Sequence, residues 1–255
     1  MRNVVAIAGK ELRSYFASPV AYIITGLFAL IFGWFYVNSL AWFVERSMGM
    51  DQFGGGGSVN VNQDLIKYLL LNATVVMLFL LPMITMRTYA EEKRSGTIEL
   101  LLTSPVRDIE IILGKFFGAL GLYCVMLLVT VLYLAVLFIY GNPEWKPIAS
   151  AYLGLVLLGG SFISFGLFIS SLTKNQIVAG VGTFTLVLML WIIDWVGDQA
   201  GSTVREVVAY LSITKHFEDF AKGVIDTKHV VYYLSFIAFG LFLTAKSVDT
   251  ERWRG

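Results

Sequence analysis

Few side chains in this sequence have the type and setting to do covalent chemistry. The single cysteine, Cys124, lies inside an apolar run, so it can close no intrachain disulfide and build no thiolate zinc site. The two histidines, His216 and His229, fall in or beside one polar stretch, which leaves no metal-ligand pair within a long apolar segment. Ser161 and Ser164 share an apolar run that holds no histidine, and a serine nucleophile needs an adjacent base, so a serine-type membrane protease is unsupported. Asp194 stands between Trp191 and Trp195 near the end of another apolar run. A charge in lipid marks function by default, but this position reads more simply as a solvated carboxylate at the membrane edge. No Gly-x-x-x-x-Gly-Lys-Ser/Thr pattern occurs, so the chain does not hydrolyse nucleotide through a P-loop of its own. Catalytic, cofactor-binding and metal-binding residues are therefore all expected to be absent.

What remains is recognition, and it concentrates in residues 87–105. Arg87, Glu91, Glu92, Lys93, Arg94 and Glu99 crowd into one short connection between two apolar runs. Thr88 with Glu91 three residues on has the capping-box spacing, which predicts a short helix running to about Arg94. Gly96 can take positive φ and end it. Thr97 can then cap a second helix, with Glu99 favoured in its first turn. Ile98, Leu101 and Leu102 share one face of that helix, and Pro105 suits the first turn of whatever follows. The predicted product is a rigid polar knuckle with a small apolar ridge.

The elements holding this knuckle must cross a membrane. The chain has 255 residues, 57% of them hydrophobic and 15% charged, against roughly 25% charged in a soluble domain. Its mean hydropathy is +0.73 and its net charge +1, which gives no reason to expect nucleic-acid binding. A spanning helix needs about 20 mainly apolar residues, and six segments qualify: about 20–44, 65–86, 116–140, 149–172, 177–196 and 229–245. The first run is too long for the roughly 7–15-residue core of a cleavable signal. Lys67 lies near an end of its span and can snorkel. Trp34, Tyr36, Trp42, Tyr140, Trp145, Trp191 and Trp195 gather at the expected interfaces, where aromatic residues are enriched.

With the first residues inside, twelve of the 19 Lys and Arg residues fall on the inner side and seven outside, so both termini are expected in the cytoplasm. Residues 1–18 form an amphipathic pattern: Met1, Val4, Val5, Ala8, Leu12, Tyr15 and Phe16 share a face, Arg2, Asn3, Lys10, Arg13 and Ser14 oppose it, and Ile7 is the exception. Such a helix suits the headgroup boundary, and Pro19 would separate it from the first span. Gly54 to Ser58 is a flexible loop tip. Pro82 should kink the second span. Gly114 and Gly118 make a Gly-x-x-x-Gly pair, better explained by close packing within the chain than by a dimer face. Residues 197–228 carry apolar residues at helical spacing, including Val204, Val207, Val208, Leu211, Phe217, Phe220, Ala221 and Val224. Two short helices dipping into the outer interface and a small solvated cap explain them equally well.

The pattern Glu91-Glu92-x-x-x-Gly96-Thr97-Ile98-Glu99-x-Leu101-Leu102-x-x-Pro105 resembles the signature loop of the ABC-2 type permeases, the membrane subunits of a class of ABC exporters. The likeness extends through Lys10-Glu11, through Leu211-Ser212-x-x-x-His216-Phe217-x-x-Phe220-x-x-Gly223, and through Phe242-Leu243-Thr244 to Arg252-Trp253-Arg254. Within the family the chain looks most similar to the gliding-motility-associated type, with its long Gly-rich first outer loop a departure. The resemblance implies an all-α fold of six transmembrane helices, with an N-terminal interfacial helix and re-entrant outer helices over about 197–228. It implies two permease chains, as a homodimer or a heterodimer, with a separate ATP-binding subunit docked below each and holding ATP and Mg. It implies a place for this chain in the cytoplasmic (inner) membrane, and an extracytoplasmic accessory protein fits the same picture. Glu91, Glu92, Gly96, Thr97, Ile98, Glu99, Leu101, Leu102 and Pro105 would form the ATPase-coupling interface. Trp191, Asp194, Phe217 and Phe220 are the candidate outer gate. Two rivals stand beside this expectation: a stand-alone secondary transporter, which would want ionisable groups and broken helices at mid-membrane, and a membrane scaffold recruiting an extracytoplasmic partner.

Overall fold

The computed structural model describes residues 2–52, 60–98, 106–198, 210 and 212–252. Among these the chain is helical and contains no strand. In order come α1 (Arg2–Ala17), α2 (Pro19–Gln52), a π-helical turn (Val61–Ile66) leading into α3 (Lys67–Thr85), α4 (Ala90–Ser95), α5 (Asp108–Tyr140), α6 (Trp145–Leu172), α7 (Gln176–Asp198), α8 (Ile213–Ala221) and α9 (Thr227–Arg252). Six helical stretches are long and apolar enough to cross a membrane: Pro19–Met48, Val61–Ser95, Asp108–Tyr140, Trp145–Leu172, Gln176–Ile193 and Thr227–Glu251. Each overlaps one of the six expected spans, the second running on past its expected end near 86 to Ser95. The third begins earlier than its apolar run, at Asp108, and the last is extended at both ends. The glycine run at 54–58 lies outside the described residues.

Local chemistry sets the helix ends. Ser18 interrupts α1 from α2, and Pro19 takes the first position of α2, where its missing N–H costs nothing. Asp108 and Glu110 occupy the first turn of α5, where the helix dipole favours acids. Glu110 accepts a hydrogen bond from the Arg107 backbone N–H at 3.3 Å and another from the Asn3 amide at 3.1 Å. Helix α3 continues through Pro82 to Thr85, and the chain turns only at Met86–Tyr89.

Helix α6 is the central post, packed by α3, α5, α7, α8 and α9. Helices come close where α6 lacks side chains: Gly159 meets the Tyr123 ring, and Gly154 meets Phe217 and Phe220. Tyr123 donates to the Leu155 carbonyl at 2.8 Å and also contacts Met77 Sδ at 2.9 Å, linking α5, α6 and α3. A buried hydroxyl without such a partner would cost free energy in lipid.

The Gly-x-x-x-Gly pair of α5 is occupied within the chain. Gly114 seats Ile7 and the backbone at Val4, and Gly118 seats Glu11 and the backbone at Ala8. Helix α1 is thus partnered by α5 along a face that includes Glu11 and Ile7, the one residue that the simple amphipathic wheel left as an exception, while Val5 stands 71% exposed. The wheel sorts residues by polarity, and a close seat on glycine selects by shape and by ion pairing instead. At the far end of the molecule Asn62 spans two connections, donating to the Glu144 carbonyl at 2.8 Å and accepting from its N–H at 3.0 Å.

Candidate partner-coupling site

The knuckle after α3 is built from the inside out. Its first element, α4, has no side-chain cap of its own at Tyr89, so the expected capping by Thr88 is not formed. Ser170, reaching across from the end of α6, does the work. Its hydroxyl accepts from the backbone N–H groups of Tyr89 and Ala90, both at 3.1 Å, and donates to the Met86 carbonyl at 3.1 Å. One buried hydroxyl thereby satisfies three main-chain groups at a helix junction that would otherwise be orphaned. Ser170→Ala is expected to lower the unfolding free energy by about 1–3 kcal/mol through those unpaired groups, read as a lower melting temperature of the detergent-purified protein. Ser170→Thr should retain most of the stability.

A charged hub lies behind α4. The Lys115 ammonium donates to Glu92 at 2.6 Å, to Glu11 at 3.0 Å and to the Thr88 carbonyl at 3.0 Å, and it lies over the Tyr89 ring. Its three N–H donors are all used. The Lys115 side chain is 1% exposed, so water contributes little and the partners must carry the charge. On the next residue, Lys93 pairs with Glu251 of α9 at 2.7 Å. A cavity of about 180 Å³ opens between α1 and α4, lined by Lys10, Glu11, Arg87, Glu91 and Glu92 among others. Helix α4 is in this way tied to α1 and α5 through Glu92, to α9 through Lys93, and to α6 through Ser170.

The motif residues divide by direction. Glu91, Gly96 and Thr97 are exposed, together with Arg94 and Ser95. Gly96 adopts φ 73° and ends α4 as a left-handed cap. Glu91 pairs with Arg87 at 3.1 Å on the open surface, and Thr97 meets the Ser95 hydroxyl at 2.9 Å. Glu92 faces inward, and Ile98 packs half-buried against the core. Glu99, Leu101, Leu102 and Pro105 lie outside the described residues.

On the opposite face, α8 follows its Ser212 cap, which accepts from the Lys215 N–H at 3.3 Å. Phe217 and Phe220 are fully buried against Gly154, so α8 packs on protein through this face. Residues 199–209 and Leu211, the other half of the expected outer pair, are outside the described residues, as is the Asp194 side chain. Trp191 is partly buried against the core.

Glu11, Lys115, Glu251, Ser170 and the contact between His216 and His229 all escaped the sequence reading. One signal was available: Lys115 and Glu11 each interrupt an otherwise apolar helix face.

Residues 5–245 match the family described as ABC-2 family transporter protein. Over 144 residues, 55% of the chain, it is 28% identical to proteins named "Probable multidrug ABC transporter permease YbhR" from Escherichia coli strain K12 and Escherichia coli O157:H7. The aligned part spans 38% of the length of these relatives. With six membrane-length helices and a family match over nearly its whole length, the chain belongs to the ABC-2 family of transporter proteins and is a multi-pass membrane protein.

Proposed function

We propose that this chain is the permease subunit of an ATP-driven exporter, non-catalytic itself, with residues 87–105 as the docking peg for a separate ATP-binding subunit. The face carrying α1, α4 and the end of α9 is then cytoplasmic, in keeping with the excess of Lys and Arg on that side, and the membrane is the inner one. A second permease chain completes the translocation path, with ATP and Mg held by the ATPase partner. The observation that carries this reading is the way α4 is bound behind and free in front. Glu92, Lys93 and Ser170 bind it to α5, α9 and α6, while Glu91 and Arg94 to Thr97 remain open to a partner.

A peg so tied passes a push on its outer surface to several membrane helices at once. Nucleotide-driven movement of the partner shifts the permease only as far as the partner's differential affinity for two permease arrangements allows. The secondary-transporter alternative draws no support from Lys115, a buried charge whose donors are all taken up within the chain.

The test is a double substitution. Glu99→Ala with Leu101→Ala is expected to leave the protein folded in the membrane while reducing stimulation of a co-purified ATPase tenfold or more. Unchanged stimulation would remove residues 87–105 from the coupling role.

A further inference from the structure

We propose that His216 and His229 form a proton-binding site, in which one proton held between their Nδ1 atoms fastens α8 to the first turn of α9. This inference is independent of the ATPase partner. After α8 the chain turns through Gly223 at φ 90°, Asp226 caps the Lys228 N–H at 3.0 Å, and α9 begins. The turn brings the two imidazoles into direct Nδ1-to-Nδ1 contact. Both are 5% exposed, and the His216 ring stacks on Tyr232 at 3.8 Å.

The outer ring nitrogens fix the proton count. His216 Nε2 lies 3.0 Å from the Tyr210 carbonyl, and His229 Nε2 lies 2.8 Å from an Asp219 carboxylate oxygen. A carbonyl and an ionised carboxylate only accept, so both Nε2 atoms carry hydrogen. Two neutral rings would then set lone pair against lone pair at the Nδ1 contact. Two fully protonated rings would set N–H against N–H. With a single proton between them, all three contacts are hydrogen bonds, and the positive charge of the pair is balanced by Asp219.

The neighbouring groups support that count. Burial opposes ionisation of Asp219, but hydrogen bonds from His229 and Lys222 outweigh it and hold its carboxyl below the usual range. Burial pushes His216 down, and the charges of His229 and Lys228 add to this against the hydrogen bond to Tyr210 and the attraction of Asp219. A second proton is therefore resisted. From the remaining packed elements, α9 faces the pair with Tyr232 and Tyr233, α6 meets α8 through Gly154 and the turn after it through Pro147, and α3 and α7 also touch α8. Asp226, beside Lys228, is held low by that residue's backbone N–H.

The pH dependence has two limbs. Undocked, His216 has the ordinary value of about 6.5; burial and the neighbouring charges lower it in the docked state, so docking weakens on the acid side as the second proton is driven on. At alkaline pH the shared proton leaves and the facing lone pairs part the rings. The clamp therefore holds within a pH window.

The chain contains two histidines, so ¹⁵N-histidine labelling of the full-length protein in nanodiscs reports on this pair alone. At pH 7.5 we expect one doubly protonated ring, one ring protonated only at Nε2, and a through-hydrogen-bond coupling between the Nδ1 atoms. Two neutral rings without coupling would overturn the proposal. Asp219→Asn is expected to move release of the shared proton down by at least one pH unit, and an unmoved midpoint counts against the site. Amide exchange across residues 213–221, corrected for intrinsic rates, should be slowest near neutrality and faster on both sides. A flat profile would refute the clamp.

Discussion

Lys115→Met is expected to destabilise the protein by about 3–5 kcal/mol, the cost of stranding buried charge by removing one member of a paired cluster. Two carboxylates would lose their shared cation, Glu11 with 13% and Glu92 with 18% of their side chains exposed. The Thr88 carbonyl would lose its donor as well. Because the hub joins α1, α4 and α5, the loss should also loosen α4 and lower stimulation of a co-purified ATPase. Thermal unfolding in detergent measures the first effect and nucleotide turnover the second. Adding Glu11→Gln and Glu92→Gln to Lys115→Met should recover most of the stability, since neutral amides can pair with each other. A variant as stable as the parent without those additions would show that solvent already screens the cluster.

Gly159→Ala should cost up to about 3 kcal/mol, at the upper end of what overpacking a core imposes. A methyl group there would fall 2.2 Å from Tyr123 Cε1. The ring cannot simply swing aside, because its hydroxyl is held by Leu155 and Met77. Either the α5–α6 contact opens or the hydrogen bonds break. Gly9→Ala is the internal control: nothing lies within 4 Å of the added methyl, and a helical alanine gains roughly 0.5–1 kcal/mol over glycine. Opposite shifts in melting temperature for the two variants are the expected outcome; equal shifts would contradict the packing described for α6.

The six spans were legible because lipid imposes a long apolar run on each, and hydropathy reads that requirement directly. The left-handed cap at Gly96 was legible too, since the need for positive φ is written into one residue. What escaped were meetings between distant parts of the chain. The ion pair from Lys115 to Glu11 joins positions 104 apart and that from Lys93 to Glu251 joins positions 158 apart. Helical periodicity sorts each residue only with its own neighbours. Thr88 has the spacing of a helix cap, yet the Glu91 N–H is taken by the Arg87 carbonyl and the Ala90 N–H by Ser170, whose sequence surroundings carry no sign of that role. Glu92 matches a motif whose members need not face the same way, and the lysine behind it turned it inward.

The lengths of α2 and α5 carry a consequence for the surrounding lipid. With 34 and 33 residues, each extends about 50 Å at 1.5 Å per residue, well beyond a hydrocarbon slab of roughly 30 Å. Such rods meet a thicker or thinner bilayer by leaning or by sliding along their axes, at a fraction of a kcal/mol per Å. Since α1 rides on the first turns of α5, a change in acyl-chain length would reach the aqueous end of the molecule as a change of slope.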